Sequence, residues 1–122
     1  MTIGEAINRV NEAKPNAYTD SQKVGWLADL DGIIKREVMD KYIGGNLIGY
    51  TPYTDNTDKS TDLLVEAPYD GLYPLYLGAM IDFYDEEYEK YDNSIALYHE
   101  RYLEWLNDYN QRHKPIQRQF YI

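Results

Sequence analysis

The sequence predicts an all-α protein, a small bundle of four helices, from the spacing of its apolar residues and from its helix caps. Between Pro68 and His113, apolar and aromatic residues return at alternating steps of four and three, which keeps them on one side of an α-helix. Residues 24–38 show the same spacing earlier in the chain. Thr2 and Thr19 each stand three residues before a Glu or Gln, which is the capping-box pattern of a helix start.

The first two helices are predicted at approximately residues 3–13 and 20–41. Pro15 ends the first helix because proline lacks the amide hydrogen and clashes with the preceding turn. Gly32 lowers the helix propensity of the second helix, so it either allows close approach of another helix, which we favour, or marks a mild bend. The predicted solvent side of this second helix carries Asp29, Asp31, Lys35 and Arg36.

The last two helices are predicted at approximately residues 71–91 and 94–111, with Asp70 as the N-cap of the third. Residues 92–94, Asp-Asn-Ser, favour caps and turns, so we expect one helix to end there and the next to begin. The apolar stripe crosses this point in phase, and one helix of about forty residues, roughly 60 Å long, is the alternative. We favour the hairpin because pieces of roughly 30 Å match the second helix in length.

The predicted core draws on three of the helices. Its residues are Trp26, Leu27, Leu30, Ile34, Leu77, Ile81, Tyr98, Tyr102 and Trp105. Much of the stripe is tyrosine, and each tyrosine brings an apolar ring together with a hydroxyl that needs a partner or water. The spacing does not separate core tyrosines from those that contact another subunit.

Two segments lie outside the helical pattern. Residues 43–67 form a long connection, and loops of this length are usually functional or mobile. Its Leu-Leu-Val run at 63–65 predicts a short strand or a strap over the bundle. The other segment is an extended C-terminal tail at 114–122, which we expect to dock on its own bundle or on a neighbour. We expect Tyr50 and Tyr53 to be exposed in a monomer, and the candidate subunit or partner contacts are Tyr50, Tyr53, Arg118, Phe120, Tyr121 and Ile122.

Length and composition predict a single soluble domain. The chain of 122 residues forms one domain, with a bundle at 1–113 and the tail at 114–122. It has no cysteine, so packing alone must hold the fold. The opening MTIGEAINRV lacks a leader pattern, and no window nears about eighteen apolar residues, so we expect neither export nor membrane insertion.

The charge argues against a protein that grips nucleic acid. The formal net charge is -9, with 21 acidic and 12 basic side chains, whereas binding a phosphate backbone needs clustered Lys and Arg. The candidate acidic face, expected to repel DNA, consists of Asp82, Asp85, Glu86, Glu87 and Glu89.

The sequence contains no pattern that points to catalysis or to a cofactor. A P-loop is absent, and the Asp55–Glu66 segment has the wrong residues inside for an EF-hand. Fourteen residues of helix would put His99 and His113 roughly 21 Å apart, too far to share a metal. We therefore expect no enzyme activity, no cofactor and no metal.

Several groups of residues together resemble the head-tail connector proteins of tailed bacteriophages and prophages, also called adaptor or head-completion proteins. The resemblance lies in Lys23-x-x-Trp26-Leu27-x-x-Leu30-Asp31-Gly32, in Leu64-x-x-x-Pro68-Tyr69-Asp70-x-Leu72-Tyr73-x-x-Tyr76-Leu77, and in Tyr91-x-Asn93-Ser94-x-x-x-Tyr98-x-x-x-Tyr102. It implies a virion structural protein whose copies, about a dozen, form a ring below the portal protein. It further implies contact with the next connector or tail protein, DNA that passes without specific binding, and a location in the virion or, before assembly, in the host cytoplasm.

A second function class also fits the composition. A small acidic regulator that mimics DNA, and so occupies a nucleic-acid-handling partner, would use the same negative charge and aromatic residues. Mimicry needs carboxylates spread over a broad face, whereas here they cluster in one segment.

Overall fold

The computed structural model describes residues 1–117 and confirms the all-α bundle. Its helices are α1 (Ile3–Ala13), α2 (Asp20–Glu37), α3 (Leu72–Tyr84) and α4 (Tyr88–Arg112), with single 3-10 turns at Met39–Lys41 and Gly45–Leu47. The Thr2 hydroxyl accepts the Glu5 amide hydrogen at the start of α1, and Thr19 and Gln22 form a complete capping box on α2. The second helix ends four residues before its predicted end, because its last predicted residues tighten into the first 3-10 turn.

Helices α3 and α4 form a hairpin, but the break lies at residues 85–87 rather than at 92–94. Glu86 has a φ of 61°, and the Glu86 and Glu87 amides donate to the carbonyls of Phe83 and Asp82. This pattern is a Schellman motif, which satisfies the last carbonyls of α3. Residues 92–94 lie inside α4, where the Ser94 hydroxyl bonds the Asp82 carboxylate instead of capping a helix. The single long helix is thereby excluded.

Helix α3 is the centre of the bundle. Leu72, Tyr73, Leu77 and Ile81 are fully buried in it, and α1, α2 and α4 all pack against it. Trp26 near the start of α2 stacks on Tyr84 at the end of α3, so these two helices are antiparallel. Tyr42, just beyond α2, packs edge-on against Tyr109 near the end of α4, so α2 and α4 are parallel.

Seven residues of the predicted core are buried, and two are only partly so. The buried ones are Leu27, Leu30, Ile34, Leu77, Ile81, Tyr98 and Trp105. Trp26 and Tyr102 are half-buried and pack against the core, each in contact with two other aromatic rings.

The 43–67 connection crosses the start of α1 as a strap, and residues 1–117 contain isolated bridges rather than a strand. Leu63 N–H donates to the Met1 carbonyl at 3.0 Å, and Ile3 N–H donates to the Thr61 carbonyl at 3.0 Å. Asp70 is not the N-cap of α3, since Gly71 occupies that position. The Asp70 carboxylate instead accepts a hydrogen bond from the Met1 amino nitrogen at 3.1 Å.

Replacing Glu86 with glycine should stabilise the protein by about 0.5–1 kcal/mol. A side chain in the left-handed region costs about 1–2 kcal/mol, and glycine would remove this cost. Part of that stabilisation is offset because glycine makes the unfolded chain more flexible and so raises the entropy lost on folding. The free energy of unfolding in urea measures the effect. Glu86→Ala removes the charge but keeps a side chain at the left-handed position, so its stability should change little. Glu89→Gly introduces glycine into the first turn of α4 and should destabilise the protein. A Glu86→Gly variant no more stable than Glu86→Ala would contradict this account of the turn.

Candidate interaction surface

The Asp31 carboxylate lies at the junction of α2, α3 and the 43–67 connection. It is completely buried, and it accepts hydrogen bonds from the Tyr53 hydroxyl at 2.5 Å, the Tyr73 hydroxyl at 2.6 Å and the Leu64 amide at 3.0 Å. The Tyr73 hydroxyl in turn accepts the Val65 amide hydrogen at 2.8 Å. These bonds attach the 53–65 part of the connection to the helices.

The solvent-facing position predicted for Asp31 is therefore wrong. Asp31 lies four residues after Leu27 and three before Ile34, both buried, and this spacing places it on their side of α2. That spacing was the signal in the sequence that could have identified it. A buried carboxylate is tolerated when several donors satisfy it, and here the donors come from distant parts of the chain.

The exposure predicted for Tyr53 is also wrong, and Tyr50 is only half exposed. Tyr53 is buried because its hydroxyl reaches Asp31, and its ring packs edge-on against Tyr50 at 5.4 Å between ring centres. The Tyr50 hydroxyl donates to the Ala28 carbonyl at 2.8 Å, and its ring lies beside Gly32. Gly32 therefore faces a loop tyrosine rather than another helix, and a Cβ at this position would lie 3.6 Å from the Tyr50 hydroxyl, an ordinary van der Waals contact.

Burial governs the protonation of this cluster. It raises the pKa of the Asp31 carboxyl, and the hydrogen bonds from Tyr53, Tyr73 and Leu64 offset part of the rise. The pKa of Tyr50 rises to about 12, and the pKa values of Tyr53 and Tyr73 are also raised. In all three the largest cause is burial and the second is the negative charge of Asp31. The tyrosines therefore remain protonated donors across the physiological range.

Asp82 does not belong to an exposed acidic face, which corrects the prediction for that residue. It is buried and accepts hydrogen bonds from the Lys14 ammonium at 2.5 Å and the Ser94 hydroxyl at 2.5 Å. Lys14 follows α1 and Ser94 lies in α4, so this group joins three elements. Sequence reasoning missed it because its three members are far apart in the chain.

The other four acidic residues are exposed around the turn between α3 and α4. We call Asp85, Glu86, Glu87 and Glu89 the acidic turn. The Tyr18 hydroxyl donates to Asp85 at 2.7 Å, and this bond is the main reason that the pKa of Tyr18 rises to about 12. Trp26 stacks on Tyr84 with ring planes 4° apart, so α2 packs against the residue that precedes the turn.

Aromatic side chains are exposed beside the acidic turn. Phe83, Tyr84 and Tyr88 have 42%, 54% and 57% of their surface exposed. Phe83 contacts the rings of Tyr84, Tyr88 and Tyr91 at centroid distances of 5.2, 6.3 and 5.3 Å. This end of the bundle therefore combines negative charge with apolar surface.

The opposite end of the bundle carries the start of the 114–122 segment. Ile43 N–H donates to the Lys114 carbonyl at 2.8 Å, and Ile116 N–H donates to the Lys41 carbonyl at 2.9 Å. The four predicted contact residues Arg118, Phe120, Tyr121 and Ile122 lie outside the described residues.

The two histidines are not brought together. His99 is exposed on α4, whereas His113 stacks on Tyr109 with ring centres 3.8 Å apart and its Nδ1 lies 2.9 Å from the Tyr109 carbonyl oxygen. Across the described part of the chain, no group of three or more His, Asp or Glu side chains is arranged to hold a metal ion.

No helix within residues 1–117 combines the length and apolarity needed to cross a bilayer.

The chain matches no protein-family model, no curated protein and no solved structure.

Removing one tyrosine hydroxyl from the Asp31 cluster should destabilise the protein by about 1–3 kcal/mol, because a buried carboxylate would lose a donor. Tyr53→Phe and Tyr73→Phe test this in urea unfolding. Tyr69→Phe is the control, since Tyr69 is also a half-buried tyrosine packed on the core but is not one of the donors to Asp31. Equal stability for Tyr53→Phe and Tyr69→Phe would show that the cluster contributes nothing.

As pH rises from about 4 to 7, the unfolding free energy of the Asp31→Asn variant should rise relative to that of the natural chain. Because the folded-state pKa of Asp31 is raised, its contribution is fully present below the unfolded pKa and is lost as pH rises through the folded pKa. Asparagine does not titrate and avoids this loss. The measurement is the difference in unfolding free energy between the two proteins at several pH values. A difference that stays constant or falls with pH would contradict the raised pKa.

Proposed function

We propose that the protein is a head-tail connector of a tailed bacteriophage or prophage, a non-enzymatic virion protein that forms a ring below the portal. The resemblance in the aromatic and capping residues supports this proposal, and the all-α bundle agrees with it. The observation that carries it furthest is the acidic turn, where four exposed carboxylates are held at one end of the bundle.

A fixed acidic surface suits a channel through which double-stranded DNA must slide. DNA carries one negative charge per about 1.7 Å of axis, so carboxylates on the wall repel it and prevent specific adhesion. The bond from Tyr18 to Asp85 and the stack of Trp26 on Tyr84 hold the turn against α2. In the proposed ring, each copy turns this end toward the DNA.

The rest of the bundle is then available for protein contacts. Tyr50 keeps part of its ring at the surface of the 43–67 connection, and the 114–122 segment starts from the ends of α2 and α4. We propose that Arg118, Phe120, Tyr121 and Ile122 contact the portal or a neighbouring copy in the assembled ring.

A DNA mimic remains the second candidate, and one observation favours it. Phe83, Tyr84 and Tyr88 are exposed beside the carboxylates, and exposed aromatic rings suit a protein partner better than a DNA channel. Against it, the four carboxylates lie within five residues at a helix junction, whereas a mimic presents charge along a broad face.

Neutralising the acidic turn should slow DNA packaging or ejection in assembled particles. The variant combines Asp85→Asn, Glu86→Gln, Glu87→Gln and Glu89→Gln, and the control neutralises four exposed acids elsewhere: Glu5, Glu12, Asp55 and Glu100. Both remove four charges, so only the position of the loss differs between them. Normal DNA packaging and ejection with the neutralised acidic turn would contradict the proposal that this turn faces DNA.

Mass measurement in solution, with and without portal protein, separates the two candidates. A connector should join the portal as a ring of many copies, and a chain lacking residues 118–122 should keep its helicity yet lose that attachment. A monomer that ignores the portal but binds a DNA-handling enzyme would favour the mimic instead.

A further inference from the structure

An aromatic face lies where α3 passes into α4. We give this name to Phe83, Tyr84 and Tyr88, whose side chains residues 1–117 leave between 42% and 57% exposed. Phe83 is at the centre, because its ring contacts the rings of Tyr84, Tyr88 and the half-buried Tyr91. The three exposed rings therefore form one continuous apolar surface rather than scattered side chains.

The rings of the aromatic face are held in fixed positions by the bundle. Tyr84 stacks on Trp26 with ring centres 5.5 Å apart, and Trp26 in turn packs edge-on against Tyr18. Tyr88 is the first residue of α4, so the helix fixes its backbone. A partner that covers such rings loses little further side-chain entropy. Fixed, partly exposed aromatic rings are typical of the residues that contribute most to protein–protein binding.

Carboxylates lie beside the aromatic face. The acidic turn and Asp92, all exposed, supply five carboxylates between residues 85 and 92, and the one cation in that range is Lys90. Lys90 pairs with Glu87 at 2.6 Å. The other four carboxylates have no ion pair within residues 1–117, so most of the negative charge beside the rings is not neutralised there.

This charge selects the partner of the aromatic face. A second copy cannot pair face to face, since carboxylates would meet carboxylates, and a nucleic acid would be repelled in the same way. A cationic side chain suits both features, because it pairs with carboxylates and is attracted to the face of an aromatic ring. Arginine is the best match, since its planar guanidinium stacks on a ring while its N–H groups bond a carboxylate.

We propose that the aromatic face and the acidic turn bind an arginine-bearing segment of a partner protein. Its guanidinium groups stack on the exposed rings and pair with the neighbouring carboxylates. The contact differs from DNA mimicry, because a mimic replaces phosphates with carboxylates, whereas here the aromatic rings contribute part of the binding.

This binding concerns the free chain and does not depend on the proposed function. If both hold, the two are linked, because the same carboxylates cannot face DNA and an arginine-bearing segment at once. The segment would then leave the acidic turn before DNA passes through the ring.

Two labelled peptides of equal charge, hexa-arginine and hexa-lysine, test the contribution of the rings by fluorescence anisotropy. The natural chain should bind hexa-arginine roughly two- to fivefold more tightly, the factor expected from stacking on an exposed ring. The double variant Phe83→Leu/Tyr88→Leu keeps apolar bulk but removes the aromatic faces, so it should lose this preference. Leu103→Ala is the control, since Leu103 is another exposed apolar residue of α4, and it should keep the preference.

A single variant guards against damage from the change at Phe83, whose ring contacts three others. Tyr88→Leu alone, at the exposed start of α4, should reduce the preference for hexa-arginine while the helicity measured by circular dichroism stays unchanged.

The position of the charge is tested with the same peptides. Neutralising the acidic turn should weaken binding of hexa-arginine roughly tenfold, the combined effect of four surface ion pairs of ordinary strength. Neutralising Glu5, Glu12, Asp55 and Glu100 removes the same number of charges elsewhere and should weaken binding much less.

Three outcomes would overturn the proposal. Equal weakening by the two neutralised variants would show that the peptide responds only to net charge. A full preference for hexa-arginine in both leucine variants would show that the rings do not contribute. A dimer of the natural chain that Tyr88→Leu dissociates, seen by mass measurement in solution, would assign the aromatic face to a second copy instead.

Discussion

The arrangement of this protein depends on one carboxylate, Asp31, which is buried with no cation beside it among residues 1–117. Its donors within these residues come from other elements: Tyr73 from α3, and Tyr53 and Leu64 from the long connection. Removing any one donor would leave a buried carboxylate oxygen without a hydrogen bond, and this costs far more free energy than a surface hydrogen bond contributes. The bundle and the connection are therefore expected to fold together, and a 25-residue loop becomes an ordered strap over α1.

A second buried carboxylate performs a similar role at the other end of the bundle. Asp82 joins the residue after α1 to α3 and α4 through Lys14 and Ser94. Just beyond it the Schellman turn reverses the chain and presents the acidic residues to solvent. Neighbouring acids in the sequence thus have opposite roles: Asp82 holds helices together, and Asp85 to Glu89 form the charged surface on which the proposed function rests.

The helical spacing was enough to predict the fold class, the positions of α1 and α2 and most of the core, because burial of a stripe on a helix is a local property. It was not enough to place the hairpin turn. Asp92 to Ser94 are residue types that favour caps, whereas the left-handed position of the actual turn is occupied by Glu86 and not by the glycine that usually marks such a position. The burial of Asp31, Tyr53 and Asp82 could not be predicted from local pattern alone. Each depends on partners at least twelve residues away, and only the spacing of Asp31 from Leu27 and Ile34 carried a hint.

Native-state hydrogen exchange at the Leu64 and Val65 amides tests the central role of Asp31 most directly. These amides donate to the Asp31 carboxylate and to the Tyr73 hydroxyl, in a segment that has no helix of its own. If the cluster unites loop and bundle, both amides should exchange only through global unfolding, with the same denaturant dependence as amides in the middle of α3. Rapid exchange that is insensitive to denaturant, while α3 stays protected, would show that the connection opens on its own and would contradict the account.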